Sequence, residues 1–99
     1  MTEKVCETYV GNANKAVTDV PTLVYWVFFY TKKALDTHGA ISIRDGFSTS
    51  DKEITKIDEH GGMIPFNPPL RCAAGLYIDI NSDVSTYTVG YIKECNLKD

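Results

Sequence analysis

The sequence has few of the features that mark secreted or membrane proteins. Its three cysteines, Cys6, Cys72 and Cys95, are an odd number at wide spacings. They argue against a disulfide framework and indicate reduced thiols, at least one of them packed as a small hydrophobic side chain. The longest apolar run, Leu23 to Tyr30, is far short of the roughly 20 residues needed to span a bilayer. The segment Met1–Lys4 carries no basic cap before an apolar stretch, so we expect no signal peptide and synthesis in the cytoplasm.

Neither positive nor negative charge predominates in the sequence. Ten basic and 13 acidic residues give a net charge of −3, and the longest basic run is Lys32–Lys33. Nucleic-acid-binding domains need a basic patch or stripe, so we expect no nucleic-acid partner. The acidic balance opposes adhesion to an anionic membrane, so we expect no membrane partner either.

Metal-binding signatures are absent as well. His38 and His60 both stand beside glycine, and the chain has no Cys-x-x-Cys or His-x₃-His spacing. Asp79–Asp83 places oxygens at the first, third and fifth positions of a calcium loop. Val84 and Gly90, however, stand where such a loop needs glycine and glutamate. A turn stabilised by Asn and Asp side chains explains the same residues, and we expect no bound metal.

No residue set points to catalysis. None of the cysteines opens a helix or lies in a basic cluster, either of which would activate a thiol. Asp45 and Asp79 are the best candidates for a carboxylate pair, but nothing in the sequence brings them together. The turn glycines form no phosphate-binding pattern. We therefore expect no catalytic residue, no cofactor and no enzymatic activity. A Cys, His and Asp site assembled only in space is the small-enzyme alternative.

What the sequence does contain is strand-like patterning. At 99 residues it is one domain, and its 43% hydrophobic and 11% aromatic content is ample for a core. Six or seven short strands with turns every eight to twelve residues predict an all-β, single antiparallel β-sandwich, of jelly-roll or Ig-like type. We assign residues 1–21 to an extended N-terminal arm with one short strand near Glu7 to Val10. Residues 22–95 form the sandwich, and residues 96–99 a C-terminal tail.

The predicted strands follow these patterns. A buried helix is the alternative for Leu23–Tyr30, but its aromatic and β-branched residues favour a strand. A helical turn competes with an edge strand over Glu53–Glu59, and the edge strand is our prediction. The prolines confine Met63–Arg71 to a sheet edge. In Gly75–Ile80 we expect Leu76, Ile78 and Ile80 to face inward. In Thr86–Tyr91 we expect Tyr87, Val89 and Tyr91 to do so.

The Leu23–Tyr30 strand is apolar on both faces, whereas one face of an ordinary antiparallel strand meets water. Strict alternation places Val24, Trp26, Phe28 and Tyr30 on one face and Leu23, Tyr25, Val27 and Phe29 on the other. One face fills the core, and the other needs the arm or a neighbouring subunit as cover. We expect a homo-oligomer or a larger assembly. The predicted partner-binding residues are Tyr9, Val10, Leu23, Tyr25, Val27 and Phe29.

Seventy residues, Leu23 to Ile92, carry a recognisable order of motifs after the aromatic strand. These motifs are Ile41–Gly46, Ile64–Arg71, Gly75–Ile80 and Thr86–Tyr91. This order resembles small β-sandwich virion proteins of tailed bacteriophages. The resemblance implies a non-enzymatic, jelly-roll-like structural protein that binds and stabilises the capsid or neighbouring virion subunits, as capsid decoration (cement) proteins do. Its location would be the virion. The alternative in the same setting is a glycan- or receptor-binding module of a phage fibre or tail that uses exposed tyrosines.

Overall fold

A computed structural model of the chain describes residues 7–32 and 39–94, and most of them lie in strands. The strands are Glu7–Gly11 (β1), Lys15–Ala16 (β2), Thr22–Thr31 (β3), Gly39–Asp45 (β4), Lys52–Glu59 (β5), Gly61–Cys72 (β6), Leu76–Ile80 (β7) and Val84–Lys93 (β8). The predicted all-β sandwich is confirmed. The strand assignment for β3 and the edge-strand assignments for β5 and β6 are also confirmed.

Two four-stranded sheets form the sandwich. The first sheet has the order β1-β8-β3-β6, the second has the order β2-β7-β4-β5, and every pairing is antiparallel. Only β4 and β5 are consecutive strands of one sheet, and each other connection between described strands crosses from one sheet to the other. This connectivity, two interlocked Greek keys over eight strands, is the jelly roll and not the Ig-like sandwich.

The N-terminal segment differs from the predicted arm. The strand expected near Glu7 to Val10 exists as β1, but it pairs along its whole length with β8 and is part of the first sheet. Lys15 and Ala16 then pair with β7 in the second sheet. Residues 7–16 therefore belong to the sandwich itself. The described portion of the predicted arm cannot reach across to a neighbour without unpairing both strands.

The core lies between the two sheets and comes from every long strand. Its fully buried side chains include Val24, Val27, Phe29, Ile41, Ile43, Cys72, Leu76, Ile78, Tyr87 and Val89. The inward positions predicted for β7 and β8 are confirmed for Leu76, Ile78, Tyr87, Val89 and Tyr91, whereas Ile80 is only half-buried at the rim. The packing of both sheets on this cluster fixes which side of each strand meets solvent.

A β-bulge in β3 changes the alternation that the sequence predicts. The pairing of β3 with β8 shifts between Val24 and Trp26, so Tyr25 is an extra residue of β3 relative to β8. On the other side of β3 the register is also interrupted there, and residues 66–69 of β6 lie between the partners of Val24 and Trp26. A bulge inserts one residue and reverses the facing of everything beyond it. Val24 therefore shares the core face with Val27 and Phe29, and its predicted grouping with Trp26 is wrong. The second face of β3 is the one that carries Leu23, Trp26, Phe28 and Tyr30.

Candidate functional site

The outer face of the second sheet is polar, and several of its side chains hydrogen-bond one another. The Arg44 guanidinium donates through Nε to Asp79 Oδ2 at 3.1 Å and through Nη1 to the Asp51 carbonyl oxygen at 2.9 Å. Ser42 Oγ donates to Glu53 Oε1 at 2.8 Å. Such a face is stable against water because its polar groups hydrogen-bond one another. It is the ordinary solvent side of an antiparallel sheet.

The outer face of the first sheet is more apolar, although Arg71, paired with Glu94, lies on it opposite Leu23. It carries an apolar surface, called here the outer patch, made of Val10, Leu23, Trp26, Phe28, Tyr30 and Met63. The exposed fractions of Val10, Tyr30 and Met63 are 61%, 59% and 57%. Large apolar side chains gathered on one exposed face mark an interaction surface, whereas single ones scattered over a protein do not.

Strand register brings the outer patch together. Phe28 of β3 lies opposite Met63 of β6 on one side and Thr88 of β8 on the other. Val10 of β1 is opposite Thr88 in turn, so one row of side chains crosses all four strands. The Phe28 and Tyr30 rings meet edge to face, with centroids 4.9 Å apart and planes at 82°. This contact holds two large rings in a fixed relation on the surface.

Trp26 completes the patch at the next row. It lies opposite Gly90 of β8 and Pro65 of β6. A Cβ atom at Gly90 would come within 2.7 Å of Trp26 Cζ2, so the indole lies directly on the glycine backbone. Gly90 is buried although its flanking residues point into the core, because the ring covers it from outside. An aromatic ring over a cross-strand glycine supplies the packing that the missing side chain would have given.

The predicted partner-binding residues lie in three environments. Val10 and Leu23 are in the outer patch, and half-buried Tyr25 is at the bulge. Tyr9 is half-buried, packs on the core, and meets the Tyr87 ring with centroids 6.1 Å apart. Val27 and Phe29 are fully buried in the core, so their assignment to a partner surface is wrong. The bulge at Tyr25 is the physical reason.

Trp26, Phe28, Tyr30 and Met63 are the surface residues that sequence reasoning missed. The signal for the first three was present, because the sequence shows that both faces of β3 are apolar. Which face of β3 turns outward depends on the β-bulge, and no residue type in β3 indicates that a bulge is present. Met63 joins them only through its register with Phe28.

Cys72 confirms the interpretation of at least one cysteine as a packed hydrophobe. It is fully buried, and burial, with a smaller contribution from the nearby Asp45 charge, raises the pKa of its thiol to about 12. A thiol that stays protonated is a poor nucleophile. Cys6, Cys95 and His38 lie outside the described residues.

The two aspartates considered as a carboxylate pair are each bound elsewhere. Asp45 Oδ1 accepts from the Ala74 amide at 2.7 Å, and Asp79 pairs with Arg44. Asn81 Oδ1 accepts from the Asp83 amide at 3.1 Å, which confirms the predicted turn stabilised by a side chain. Within residues 7–32 and 39–94, no three or more His, Cys, Asp or Glu side chains group as a metal site would.

The chain was compared with known families, curated proteins and solved structures. No family model, no curated protein and no solved structure matches it. No helix in the described part of the chain is long and apolar enough to cross a membrane. The assignment of function therefore depends on the outer patch and its geometry.

Proposed function

We propose that this protein is a non-catalytic structural component that docks through the outer patch onto a larger protein assembly. The assembly we propose is the virion of a tailed bacteriophage, where the chain binds and stabilises the capsid or neighbouring virion subunits, in the manner of a decoration (cement) protein. The observation that carries the docking proposal is the cluster of exposed apolar side chains on the outer face of the first sheet, which the polar outer face of the second sheet lacks.

The composition of the outer patch suits a protein partner. Trp, Tyr, Phe and Met are enriched in the buried centres of protein interfaces, and charged residues are depleted there. Burial of apolar area contributes roughly 25 cal/mol per Å², so even a few hundred Å² favours docking by several kcal/mol before the cost of association. A four-stranded sheet also presents these side chains on a broad, rigid surface, which fits an extended partner better than a small ligand.

Two observations support the virion as the setting. The jelly-roll connectivity occurs in viral capsid domains. The order of turn and core motifs from Leu23 to Ile92 resembles small virion proteins of tailed phages. Fold alone does not specify function, so the outer patch carries the docking claim and these two observations supply only its context.

The test is cosedimentation with particles of the phage that encodes the chain. Wild-type protein should pellet with particles depleted of it, and mass spectrometry should find it in untreated particles. The variant Phe28→Ser/Tyr30→Ser removes two exposed rings and should bind at least about tenfold more weakly. Lys56→Ser, on the outer side of the second sheet, is the matched control and should bind normally. Equal binding of all three chains, or absence of the chain from the particles, would refute the proposal.

Glycan binding by a fibre or tail module is the second candidate. The specific observation in its favour is that the rings of Trp26, Phe28 and Tyr30 share one face, as sugar-stacking rings do, and that jelly rolls also occur in lectins. A glycan array separates the two functions. Specific retention of a sugar that is lost in Tyr30→Ser would favour this candidate over a protein partner.

A further inference from the structure

The four sheet edges of this jelly roll are protected to very different degrees. By strand order, the edges are β1 and β6 of the first sheet and β2 and β5 of the second. An unprotected edge offers a row of backbone donors and acceptors to any strand that approaches. Proteins commonly block such pairing with prolines, charges or very short edge strands.

Three of the edges carry these devices. Strand β6 contains Pro65, Pro68 and Pro69, which removes three backbone N–H donors from its 12 residues. Strand β5 has charged side chains at five of its eight positions, two lysines and three acids. Strand β2 is only two residues long. Each of them is a poor template for a further strand.

Strand β1 is the exception. It has five residues, Glu7–Gly11, with one charge, no lysine and no proline. Among the described residues it pairs only with β8. It is also fixed in place, because the Tyr9 ring packs on Tyr87 and Tyr87 Oη donates to the Ala13 carbonyl at 2.8 Å. A rigid edge loses little conformational entropy when another strand is added.

We propose that β1 pairs antiparallel with β1 of a second copy, so that the protein forms a two-fold symmetric dimer through this edge. A two-fold interface uses the same surface on both subunits, and an antiparallel strand pair satisfies that symmetry. The register that uses all five residues places Tyr9 opposite the partner's Tyr9. Thr8 is then opposite the partner's Val10, and Glu7 is opposite the partner's Gly11. The two Glu7 charges lie at opposite ends of the pair.

The dimer joins the two outer patches into one surface. Pairing at β1 creates a continuous eight-stranded sheet, and the exposed Thr8 and Val10 side chains meet on its outer side. A five-residue strand pair buries less than the roughly 1,000 Å² of a stable interface, so dissociation in dilute solution is expected. This inference is independent of the proposed function, since it arises from the edges and not from the patch.

The test uses charge pairs that only the stated register brings together. In the Thr8→Lys/Val10→Lys variant, the lysine introduced at position 8 faces the lysine introduced at position 10 of the partner. The two-fold symmetry repeats this contact between like charges. In Thr8→Lys/Val10→Glu, the same two positions face each other with opposite charges. Both variants remove Val10 and add two charges at exposed sites, so each is the control for the other.

Sedimentation velocity of the full chain from about 1 μM to about 1 mM measures the dimer. Wild-type protein should dimerise within this range. The lysine–glutamate variant should dimerise at least about tenfold more tightly than the double-lysine variant, because opposite charges across a strand pair attract and like charges repel. A monomer throughout the range for wild type, or equal dissociation constants for the two variants, would overturn the proposal.

Amide hydrogen exchange provides a second readout that needs no variant. Protection of the β1 amides should rise with protein concentration, while that of the β5 amides should stay constant. Concentration-independent exchange of β1 would also overturn the dimer. Phe28→Ser/Tyr30→Ser leaves β1 intact, so loss of particle binding with an unchanged dimer would separate the two claims.

Discussion

The indole of Trp26 lies on the backbone of Gly90, which is directly opposite it on the neighbouring strand β8. The backbone at Gly90 does not adopt a left-handed conformation, and the three atoms nearest to a Cβ there all belong to the Trp26 ring. The glycine and the tryptophan therefore depend on each other. Because Gly90 has no side chain, the Trp26 ring can lie flat against the outer side of β8.

A double-mutant cycle should show that dependence. We expect Gly90→Ala to destabilise the protein by about 1–3 kcal/mol, because the methyl group displaces the ring. Trp26→Ala should cost about 1–2 kcal/mol, less than the ~3–5 kcal/mol of a core aromatic. In the Trp26→Ala background, Gly90→Ala should instead be neutral or stabilise by up to about 1 kcal/mol. Urea unfolding measures each step, and additive losses would contradict the contact.

The bulge in β3 makes two neighbouring phenylalanines unequal. Phe29 is fully buried, and its truncation in Phe29→Ala should cost about 3–5 kcal/mol. Phe28 faces outward, and Phe28→Ala should cost less than about 1.5 kcal/mol. Each variant is the control for the other, because both replace phenylalanine by alanine at neighbouring positions of the same strand. A larger loss for Phe28 would place the bulge elsewhere.

These assignments mark the limit of what the sequence predicts. Alternation in Leu76–Ile80 and Thr86–Tyr91 identified the inward residues, since both strands have one apolar side. In β3 both sides are apolar, so a one-residue bulge at Tyr25 reverses the faces without changing the pattern. The jelly-roll order was likewise out of reach, because it depends on pairings between distant strands. The sequence predicts a second apolar face on β3, but it does not predict which residues form that face.

The Cys72 thiol should be inert in the folded state and should make stability depend on alkaline pH. Its pKa rises from 9.0 to about 12 on folding, so its contribution to stability is complete below pH 9 and is lost between pH 9 and about pH 12. In Cys6→Ser/Cys95→Ser, thiol labelling at pH 8 should require unfolding. Cys72→Ala should show a weaker loss of stability between pH 8 and pH 10.5. Rapid labelling of the folded protein would contradict the burial.

Asp51 organises the loop between β4 and β5 through its carboxylate. Hydrogen bonds from the Phe47 amide at 2.7 Å and from Ser48 lower the pKa of Asp51 below its usual 3.8, with a smaller contribution from the Arg44 charge. The folded-state pKa is the lower one, so this support is complete above pH 3.8 and is lost as the pH falls from there through the folded-state pKa. The Phe47 amide resonance should report an acid transition by NMR. That transition should be missing in Asp51→Asn, and its persistence would exclude Asp51 as the cause.

Hydroxyl-radical footprinting of the chain on particles and free in solution tests the docking surface most directly. Met63 and Tyr30, 57% and 59% exposed on the outer patch, should be oxidised several-fold more slowly on the particle. Phe47, 53% exposed in the loop between β4 and β5 of the other sheet, is the internal control and should react equally in both states. Selective protection of Met63 and Tyr30 is the result we expect. Equal oxidation of all three residues in the two states would contradict docking through the outer patch.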